Sequence, residues 1–190
     1  DAADDLSKKG AETLDNAEKN TPNISSKTSK ASDLANDIDY SDFSKIEGEI
    51  YEDNGFKYKN VNNSDGQLVR TFVSEDGKTV RSVVDYDPSS GKYFKLTNYR
   101  ENGKVLESIA DCDPSTGNLL KKTEYQSDGK TVSSITDYDP STGNLLKKIE
   151  YQGDGTTVSS ITDYDSSIDK KLKTTYYKPD GTVDRVENAS

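Results

Sequence analysis

An internal repeat constrains the fold of this chain more than any other feature of its sequence. Residues 112–137 are followed at once by residues 138–163, which repeat them almost letter for letter at an offset of 26 positions. A fixed period of this length is typical of repeat proteins, in which each unit is one supersecondary element that packs against its neighbours. The sequence therefore predicts a repeat architecture. The same spacing separates Gly77, Gly103, Gly129, Gly155 and Gly181.

Composition alone would place the chain among disordered proteins. Leu, Ile, Val and Phe together make up less than one fifth of it, and its formal net charge is −10, a combination that is typical of intrinsic disorder. However, Tyr, Thr and Val are concentrated in the repeats, where they follow a strand pattern with turn residues at fixed places between the strands. Because a sheet of one layer needs few apolar residues, the composition is compatible with β structure.

Enzymatic function is disfavoured by the residues that the sequence lacks. The chain has no histidine, no tryptophan and one cysteine, so the usual general bases, thiol nucleophiles and transition-metal ligands are nearly all missing. We therefore predict a protein that is not an enzyme and has no cofactor. The single cysteine, Cys112, stands where the next copy has Tyr138, which favours variation between repeats over a reactive thiol.

Charge and hydropathy disfavour two further kinds of partner. An acidic balance opposes binding to nucleic-acid phosphates, and no apolar run approaches the roughly 18 residues that a membrane-spanning helix requires. We therefore predict neither nucleic-acid binding nor membrane insertion. The chain begins at Asp1 without a methionine or a signal peptide, which we interpret as the start of a processed or trimmed protein.

Residues 1–47 differ from the remainder in composition and pattern. Their apolar residues have a loosely helical spacing that Gly10 and the Thr21-Pro22 step interrupt, and a second weak helix is indicated from about residue 29 to residue 38. We predict an acidic spacer or weakly helical segment; a helical module that pairs with itself or caps the sheet is the alternative. Residues 48–190 form the predicted β-repeat domain, with the clearest 26-residue units at 76–181.

Two kinds of turn alternate from Gly48 onward. One is an Asp-Gly or Asn-Gly dipeptide, as at Asp128-Gly129, which tolerates positive φ at both central positions and predicts a two-residue type I′ hairpin. The other is Asp-Pro-Ser-(Ser/Thr)-Gly, at residues 87–91, 113–117 and 139–143, which predicts a four-residue loop that glycine closes. The alternation predicts an extended antiparallel β-meander, a single-layer sheet of about a dozen strands.

These turn lengths determine which residues are paired across the strands. They predict that Tyr125 lies opposite Val132 and that Cys112 lies opposite Leu119. Two columns of large side chains then share one face: Val73, Val80, Tyr99, Leu106, Tyr125, Val132, Tyr151 and Val158 in the first, and Tyr86, Tyr93, Cys112, Leu119, Tyr138, Leu145 and Tyr164 in the second. A third column on the opposite face contains Leu96, Ile109, Lys122, Ile135, Lys148 and Ile161.

Carboxylates at alternate positions around each proline-containing turn are candidate calcium ligands, because hard cations bind several oxygens from one short loop. However, the glycine comes one residue later than in an EF-hand loop, and no bidentate Glu completes the set. Each aspartate is also explained as a strand residue or as the residue that opens a turn. We therefore predict no metal site. The calcium candidates are Asp85, Asp87, Asp111, Asp113, Asp137 and Asp139.

One repeat unit combines two turn motifs with a lysine-rich strand. With the tyrosine of the next copy in first place, the unit at 112–135 has the sequence YDPSTGNLLKKTEYQSDGKTVSSI. Its YDP-TG turn, Lys-rich strand and DGKT turn are similar to a phytoplasma repeat of unknown function, over roughly residues 76–183. The resemblance implies a secreted or surface protein of a wall-less bacterium that lives in a host. It implies no catalytic residue, because the family has no known active site.

From these observations we predict a non-enzymatic, secreted or cell-surface module that binds a host or partner protein, or a glycan, as an adhesin or virulence-related host-interaction factor. A repetitive, two-faced surface rich in Tyr, Lys and Thr suits recognition by many weak contacts. A structural element that self-assembles through its sheet edges or N-terminal helices is the alternative, and a solvated spacer rod is a third. No particular ligand-binding residue is predicted.

Overall fold

The computed structural model describes residues 42–63, 66–100 and 103–189, which all belong to one compact unit of residues 36–190. Of the predicted spacer or weakly helical segment, residues 1–47, the part up to residue 41 lies outside the described residues. A 3-10 turn at Phe43–Lys45 precedes twelve strands. The strands are β1 (Ile50–Asp53), β2 (Phe56–Asn62), β3 (Leu68–Val73), β4 (Val80–Tyr86), β5 (Tyr93–Tyr99), β6 (Leu106–Cys112), β7 (Leu119–Tyr125), β8 (Val132–Tyr138), β9 (Leu145–Tyr151), β10 (Val158–Asp165), β11 (Lys170–Tyr177) and β12 (Val183–Asn188).

The strands form one open sheet. Each pairs antiparallel with its neighbours in the chain, in the order β1 to β12, which confirms the predicted single-layer meander. The strands are rich in Tyr, Thr, Ile and Val, whose branched or aromatic side chains suit a pleated, half-buried surface. In the part of the chain that the structure describes, no helix is long and apolar enough to cross a membrane.

The predicted pairing is found next to the turns and changes in the middle of the strands. One residue further from the turn, a β-bulge shifts the register. Glu124 therefore lies opposite Ser134, whereas the turn lengths predicted Ser133 as its partner. A bulge places two residues of one strand opposite one residue of the other and increases the local twist. The predicted pairs that the structure confirms include Tyr99–Leu106, Cys112–Leu119, Tyr125–Val132 and Tyr138–Leu145.

The bulges make the predicted third column wrong. Ile109 lies opposite Thr123, whereas Lys122 lies opposite the neighbouring residue, Ala110. Because successive residues of a strand point to opposite faces, Ile109 and Lys122 are on opposite faces of the sheet. The sequence placed them on the same face because it supplied no sign of the extra residue in each hairpin.

We therefore name the two faces by their central rows. Face A carries the row Val83, Thr97, Ile109, Thr123, Ile135, Ile149 and Ile161. Face B carries the row Ser82, Asn98, Ser108, Glu124, Ser134, Glu150 and Ser160. The two columns that were predicted to share a face are divided between these faces. Tyr125 follows Glu124 of face B and so lies on face A, whereas Tyr138 follows Asp137 of face A and so lies on face B.

The proline-containing turns have the predicted length. At the first turn of the central repeat, the Asp113 amide donates to the Asn118 carbonyl over 2.8 Å, and the Gly117 amide donates to the Asp113 carbonyl over 2.7 Å. The Asn54-Gly55 turn is also of the predicted two-residue type, since its φ angles of 51° and 84° are both positive. These turns are therefore determined by local sequence.

The prediction of a two-residue turn at Asp128-Gly129 is wrong. The Gln126 amide donates to the Thr131 carbonyl over 2.8 Å, which closes a four-residue loop, and within it only Gly129 has a positive φ, of 67°. The Asp128 carboxylate accepts bonds of 2.9 Å from the amides of both Lys130 and Thr131. An aspartate that bonds the backbone two and three residues ahead favours this wider turn over type I′. The hairpins at 74–79 and 152–157 close in the same way.

The hydrophobic core lies on face A of the first half of the sheet. Val69, Val80 and Val83 there are almost fully buried. Two residues from the segment before β1, Phe43 and Ile46, cover this cluster and are 3% and 4% exposed. Both belong to the N-terminal segment as the sequence divides the chain, yet they pack on the sheet. The complete cluster is Phe43, Ile46, Val69, Val73, Val80, Val83, Tyr99, Leu106 and Ile109.

Lys59 holds this covering segment in place. Its buried ammonium donates to the carbonyl of Phe43 over 3.0 Å and to that of Ile46 over 2.7 Å, and it lies 4.7 Å from the centre of the Phe43 ring. The Phe43 amide donates to the Lys78 carbonyl over 2.9 Å. A buried ammonium requires such partners, so this lysine is a structural residue.

Successive turns are bonded to one another along both edges where the strands end. Asn118 Nδ2 donates to the Pro140 carbonyl over 2.9 Å, and Asn144 Nδ2 donates to the Ser166 carbonyl over 2.8 Å. On the opposite edge, Arg100 donates to the carbonyl of Tyr125 over 2.9 Å. The repeats are thus connected by side chains as well as by the strand ladder, which compensates for the small amount of apolar burial in a single layer.

Candidate binding surface

Face A carries a ladder of alternating charge. Its members follow one another on adjacent strands from β4 to β11, and each aspartate lies opposite a lysine. The ammonium of Lys121 is 3.9 Å from the Asp137 carboxylate, and the Asp163 carboxylate has lysines on both sides at 4.0 Å and 3.7 Å. Opposite charges directly across a sheet stabilise the pairing, and like charges oppose it. The ladder consists of Asp85, Lys95, Asp111, Lys121, Asp137, Lys147, Asp163 and Lys173.

Among the ladder aspartates, Asp85 is buried and Asp111 and Asp137 are half-buried, and this affects the titration of all three. Burial raises the pKa of Asp111 and Asp137, and the facing lysines partly oppose that effect. A tyrosine of each repeat is close to a ladder aspartate. Burial, followed by the charge of Asp85, raises the pKa of Tyr99 to about 12. Burial thus disfavours the charged form of both the aspartates and the tyrosine, whereas the facing lysines favour the charged form of the aspartates.

The six calcium candidates are divided between two different settings. Asp85, Asp111 and Asp137 are ladder residues that face lysines. Asp113 instead opens a turn, where its carboxylate accepts from the Ser115 amide over 2.7 Å and from the Thr116 amide over 3.1 Å. Asp87 and Asp139 make the same contacts in their own turns. Within the described ranges, no group of three or more potential metal-ligating residues comes together.

Cys112 is buried on face B, because it directly follows the ladder residue Asp111 in the strand. Burial, and to a smaller degree the charge of Asp111, raises the pKa of its thiol. A raised pKa disfavours the thiolate, which is the nucleophile and the metal ligand. The residue has the setting of a small packed side chain.

Face B carries a polar array that recurs in successive repeats. Lys122 forms a 2.8 Å ion pair with Glu124, which also accepts from the Ser134 hydroxyl over 2.7 Å. These two hydrogen bonds lower the pKa of Glu124. One repeat later, Lys148, Glu150 and Ser160 make the same contacts at 3.0 Å and 2.8 Å. Since two strand spacings separate the units, the array repeats about every 10 Å.

The first half of face B carries a continuous patch of rings. Tyr51 and Tyr58 are stacked with their ring centres 5.6 Å apart, and Tyr58 contacts Phe72 at 5.3 Å. The guanidinium of Arg70 lies 4.3 Å above the Tyr58 ring and 5.2 Å from that of Tyr86. Such cation–π contacts are worth about 0.5 to 1 kcal/mol at exposed sites. We name this patch the aromatic platform; its members are Tyr51, Tyr58, Arg70, Phe72, Tyr86 and Tyr93.

The aromatic platform is open to solvent at its margins. Tyr51 is 44% exposed and Tyr93 is 42% exposed, and the Arg70 side chain is held by a 3.1 Å bond from its Nε to Asn60. Sequence reasoning missed this patch because most of it precedes the clear repeats. The alternation of Tyr51 with Tyr58 and Phe72 across strands becomes visible only when the pairing of β1, β2 and β3 is known.

Comparison with known families identifies the repeat. The sequence matches the family described as "Protein of unknown function (DUF2963)" in overlapping segments at residues 73–124, 99–150, 125–176 and 151–188. The chain belongs to this DUF2963 family. The overlapping segments advance by one repeat each, which agrees with the 26-residue period. Most of the aromatic platform precedes the matched residues, whereas the charge ladder and the polar array lie within them.

Other comparisons add little. No curated protein sequence matches significantly. Similar solved structures include a Staphylococcus aureus TarM mutant in complex with Fondaparinux, alpha-GlcNAc-glycerol and UDP (TM-score 0.33, 7% identity, 66% of this chain and 20% of that one). Another is a GtfA/B complex bound to UDP and GlcNAc (TM-score 0.36, 14% identity, 77% of this chain and 26% of that one). The chain thus spans about a fifth to a quarter of these proteins, and scores this low carry no argument about function.

Proposed function

We propose that this DUF2963 protein is a non-enzymatic, secreted or surface-displayed module that binds a host or partner protein through face B. The aromatic platform carries this proposal, because it places rings from three neighbouring strands and a stacked guanidinium side by side on a face whose marginal rings are exposed. Tyrosine and arginine are enriched among the residues that dominate the binding energy of protein interfaces.

The remainder of face B supports a protein ligand over a glycan. Further along the sheet, from β7 onward, the same face carries the polar array of Lys122, Glu124 and Ser134 and its copy. Protein interfaces combine a desolvated aromatic centre with a polar rim in this manner. Because the array recurs at regular spacing, a long partner segment would find repeated polar contacts beside one aromatic anchor.

Secretion, surface display and a role in adhesion or host interaction are supported by the resemblance of the repeat to phytoplasma proteins. The YDPSTG and DGKT elements that carry the resemblance form the turns at 113–118 and 126–131. These turns occupy the strand ends, so they do not cover face B.

Affinity capture from a host-cell extract, followed by titration of the purified partner, tests this function. The full chain is compared with a Tyr58→Ser/Tyr93→Ser variant, and Leu172→Ser is the matched control, because Leu172 is a 51% exposed apolar residue of β11 outside the aromatic platform. We expect the double variant to bind the partner roughly ten-fold or more weakly, as removal of interface anchors does, and the control to bind normally. Equal binding by all three would overturn the assignment to the aromatic platform. Binding to immobilised oligosaccharides without any protein partner would replace the protein ligand with a glycan.

A further inference from the structure

Among the residues that the structure describes, no strand lies outside β1 or β12, so these are the edge strands of the sheet. They have the polarity needed to pair with each other. Consecutive strands alternate in direction, and the sheet contains an even number of strands, twelve. When two copies are placed side by side in the same orientation, β12 of one is therefore antiparallel to β1 of the next. An open edge presents unpaired amide and carbonyl groups that can accept such a strand.

The central row of face A ends on an apolar residue at each edge. Following the pairing from strand to strand, this row begins at Ile50 in β1 and finishes at Val186 in β12. Ile50 is 61% exposed and Val186 is 51% exposed, whereas interior members of the row such as Val83 and Ile109 are buried. Each end of the row therefore lacks the neighbour that covers the interior members.

The backbone groups that point away from the sheet are at these same residues. In an antiparallel pair, every second residue of a strand directs its amide and carbonyl toward the partner strand. Ala189 is such a residue, since its amide donates to the Leu172 carbonyl of β11 over 2.8 Å. Val186, three residues earlier, therefore directs its amide and carbonyl away from the sheet. In β1, the two-residue turn makes Asp53 and Phe56 a hydrogen-bonded pair, so the backbone groups of Asp53 point toward β2. By the same alternation, Ile50 directs its amide and carbonyl away from the sheet.

We infer that β12 of one molecule pairs antiparallel with β1 of a second copy, with Val186 opposite Ile50. This pairing continues the ladder across the boundary between molecules and buries the two exposed ends of the central row against each other. A contact between different surfaces of identical molecules does not close on itself, so repetition of it gives linear chains of molecules. The inference rests on the edges and shares only Tyr51 with the aromatic platform.

On face B, Arg185 and Tyr51 are complementary in this arrangement. The guanidinium of Arg185 is 3.7 Å from the centre of the Tyr176 ring on β11, and Tyr51 of β1 is stacked on Tyr58. With Ile50 opposite Val186, Arg185 lies beside Tyr51 of the next copy, so that a ring is present on both sides of the cation. Contacts of this kind are favourable between an arginine and a tyrosine ring.

Two pairs of like charges oppose the contact. The same register places Asp184 beside Glu52 and Glu187 beside Glu49 of the next copy, and like charges directly across a sheet are destabilising. Glu52 is partly compensated within its own hairpin, where it lies opposite Lys57. Short edge strands with charged residues limit edge-to-edge pairing, so the contact is weak and forms at high protein concentration. Salt strengthens it, because added ions screen the repulsion between Asp184 and Glu52.

Disulfide trapping tests the contact and its register. Single variants Ile50→Cys and Val186→Cys, each with Cys112→Ser, are mixed under mild oxidation. We expect disulfide-linked heterodimers in excess over both homodimers. The two edges of one molecule are roughly 50 Å apart at the usual strand spacing, so a crosslink within one chain does not compete. Replacing Val186→Cys by Ile168→Cys, at a 60% exposed position outside β12, controls for random collision. Equal crosslinking by the two positions would overturn the inference.

Sedimentation of the full chain supplies a second measurement that does not depend on cysteines. We expect the average mass to rise with concentration and the Asp184→Lys variant to associate roughly two- to five-fold more tightly, the effect of one exposed ion pair. A monomer at every concentration in both proteins would overturn the inference. Tyr93→Ser is expected to leave association unchanged although it weakens the proposed partner binding, so failure of one proposal does not imply failure of the other.

Discussion

Tyr125 lies directly opposite Val132 across the β7–β8 hairpin, while the next pair along the strands, Glu124 and Ser134, is displaced by one residue. The adjacent pair is hydrogen-bonded, since the Gln126 amide donates to the Thr131 carbonyl over 2.8 Å. Tyr125 and Val132 are therefore a non-hydrogen-bonded pair. Side chains of such pairs are the closest in an antiparallel sheet.

A disulfide should therefore form between cysteines at these two positions. In a Cys112→Ser background, we expect Tyr125→Cys/Val132→Cys to oxidise readily, because Cα atoms about 4.5 Å apart suit a disulfide. Thiol titration and peptide mass mapping measure the formation of this disulfide. The control is Glu124→Cys/Val132→Cys, whose residues are not opposed. More complete oxidation of the control pair would contradict the observed register.

Substitution of Gly129 should destabilise the protein more than substitution of Gly77. Both have a positive φ, of 67° and 69°, but a Cβ at Gly129 would lie 2.7 Å from the Leu106 amide nitrogen, whereas one at Gly77 meets nothing within 4 Å. We expect Gly77→Ala to cost about 1 to 2 kcal/mol from backbone strain. Gly129→Ala adds overpacking and should cost about 2 to 5 kcal/mol. Urea unfolding of both variants measures the difference. Equal losses in the free energy of unfolding would contradict this prediction, because they would show that Leu106 moves away from residue 129 at no cost in stability.

Removal of the Lys59 ammonium should release the segment that covers the core. In Lys59→Met, the carbonyls of Phe43 and Ile46 lose their buried donor, and we expect a loss of about 1 to 3 kcal/mol in the free energy of unfolding. Amide exchange at Phe43, whose amide bonds the Lys78 carbonyl, should accelerate. Lys57→Met on the same strand is the exposed control and should stay within about 0.5 kcal/mol. Unchanged exchange at Phe43 would contradict the role of Lys59.

Acid should destabilise the protein through the turn aspartates. Hydrogen bonds from the Thr131 side chain and from backbone amides lower the pKa of Asp128 to about 2, and equivalent bonds lower those of Asp139 and Asp154 to about 2. Since each folded-state pKa lies below the unfolded value, the stabilisation is present above about pH 4. It is lost as the pH falls toward 2. The ladder aspartates, whose pKa burial raises, oppose this trend.

The melting temperature between pH 5 and pH 2 measures this effect. We expect it to fall steeply in the wild type and less steeply in Asp128→Asn, which has no carboxylate to protonate at that turn. A variant that follows the wild-type curve in parallel would show that Asp128 does not contribute to the acid sensitivity.

Calcium should leave the melting temperature nearly unchanged. Asp111 faces lysines on both neighbouring strands, and Asp113 already accepts two amide bonds within its turn. An ion that binds the folded state stabilises it in proportion to RT ln(1 + [L]/Kd). Thermal unfolding after chelation, with and without added calcium, is the measurement. A rise of several degrees in millimolar calcium would overturn this prediction.

Sequence alone determined the elements of this protein and the order in which they pair. The period and the placement of turn residues are local properties, so they were sufficient for the antiparallel meander and for the pairs next to each turn, such as Cys112 with Leu119. The four-residue length of the proline-containing turns was likewise readable, because proline and glycine restrict the backbone wherever they occur.

Tertiary structure decided which face each side chain takes. The bulge in each hairpin places Tyr125 on face A and Tyr138 on face B, and neighbouring hairpins pack closely, as at the approach of Gly129 to Leu106. The covering of the core by Phe43 and Ile46 and the assembly of the aromatic platform depend on contacts between residues distant in the chain. Each copy of the repeat specifies its own turns, but its local sequence contains no signal for contacts between distant residues. One extra residue in a strand exchanges the two faces, so the turns alone do not assign the faces.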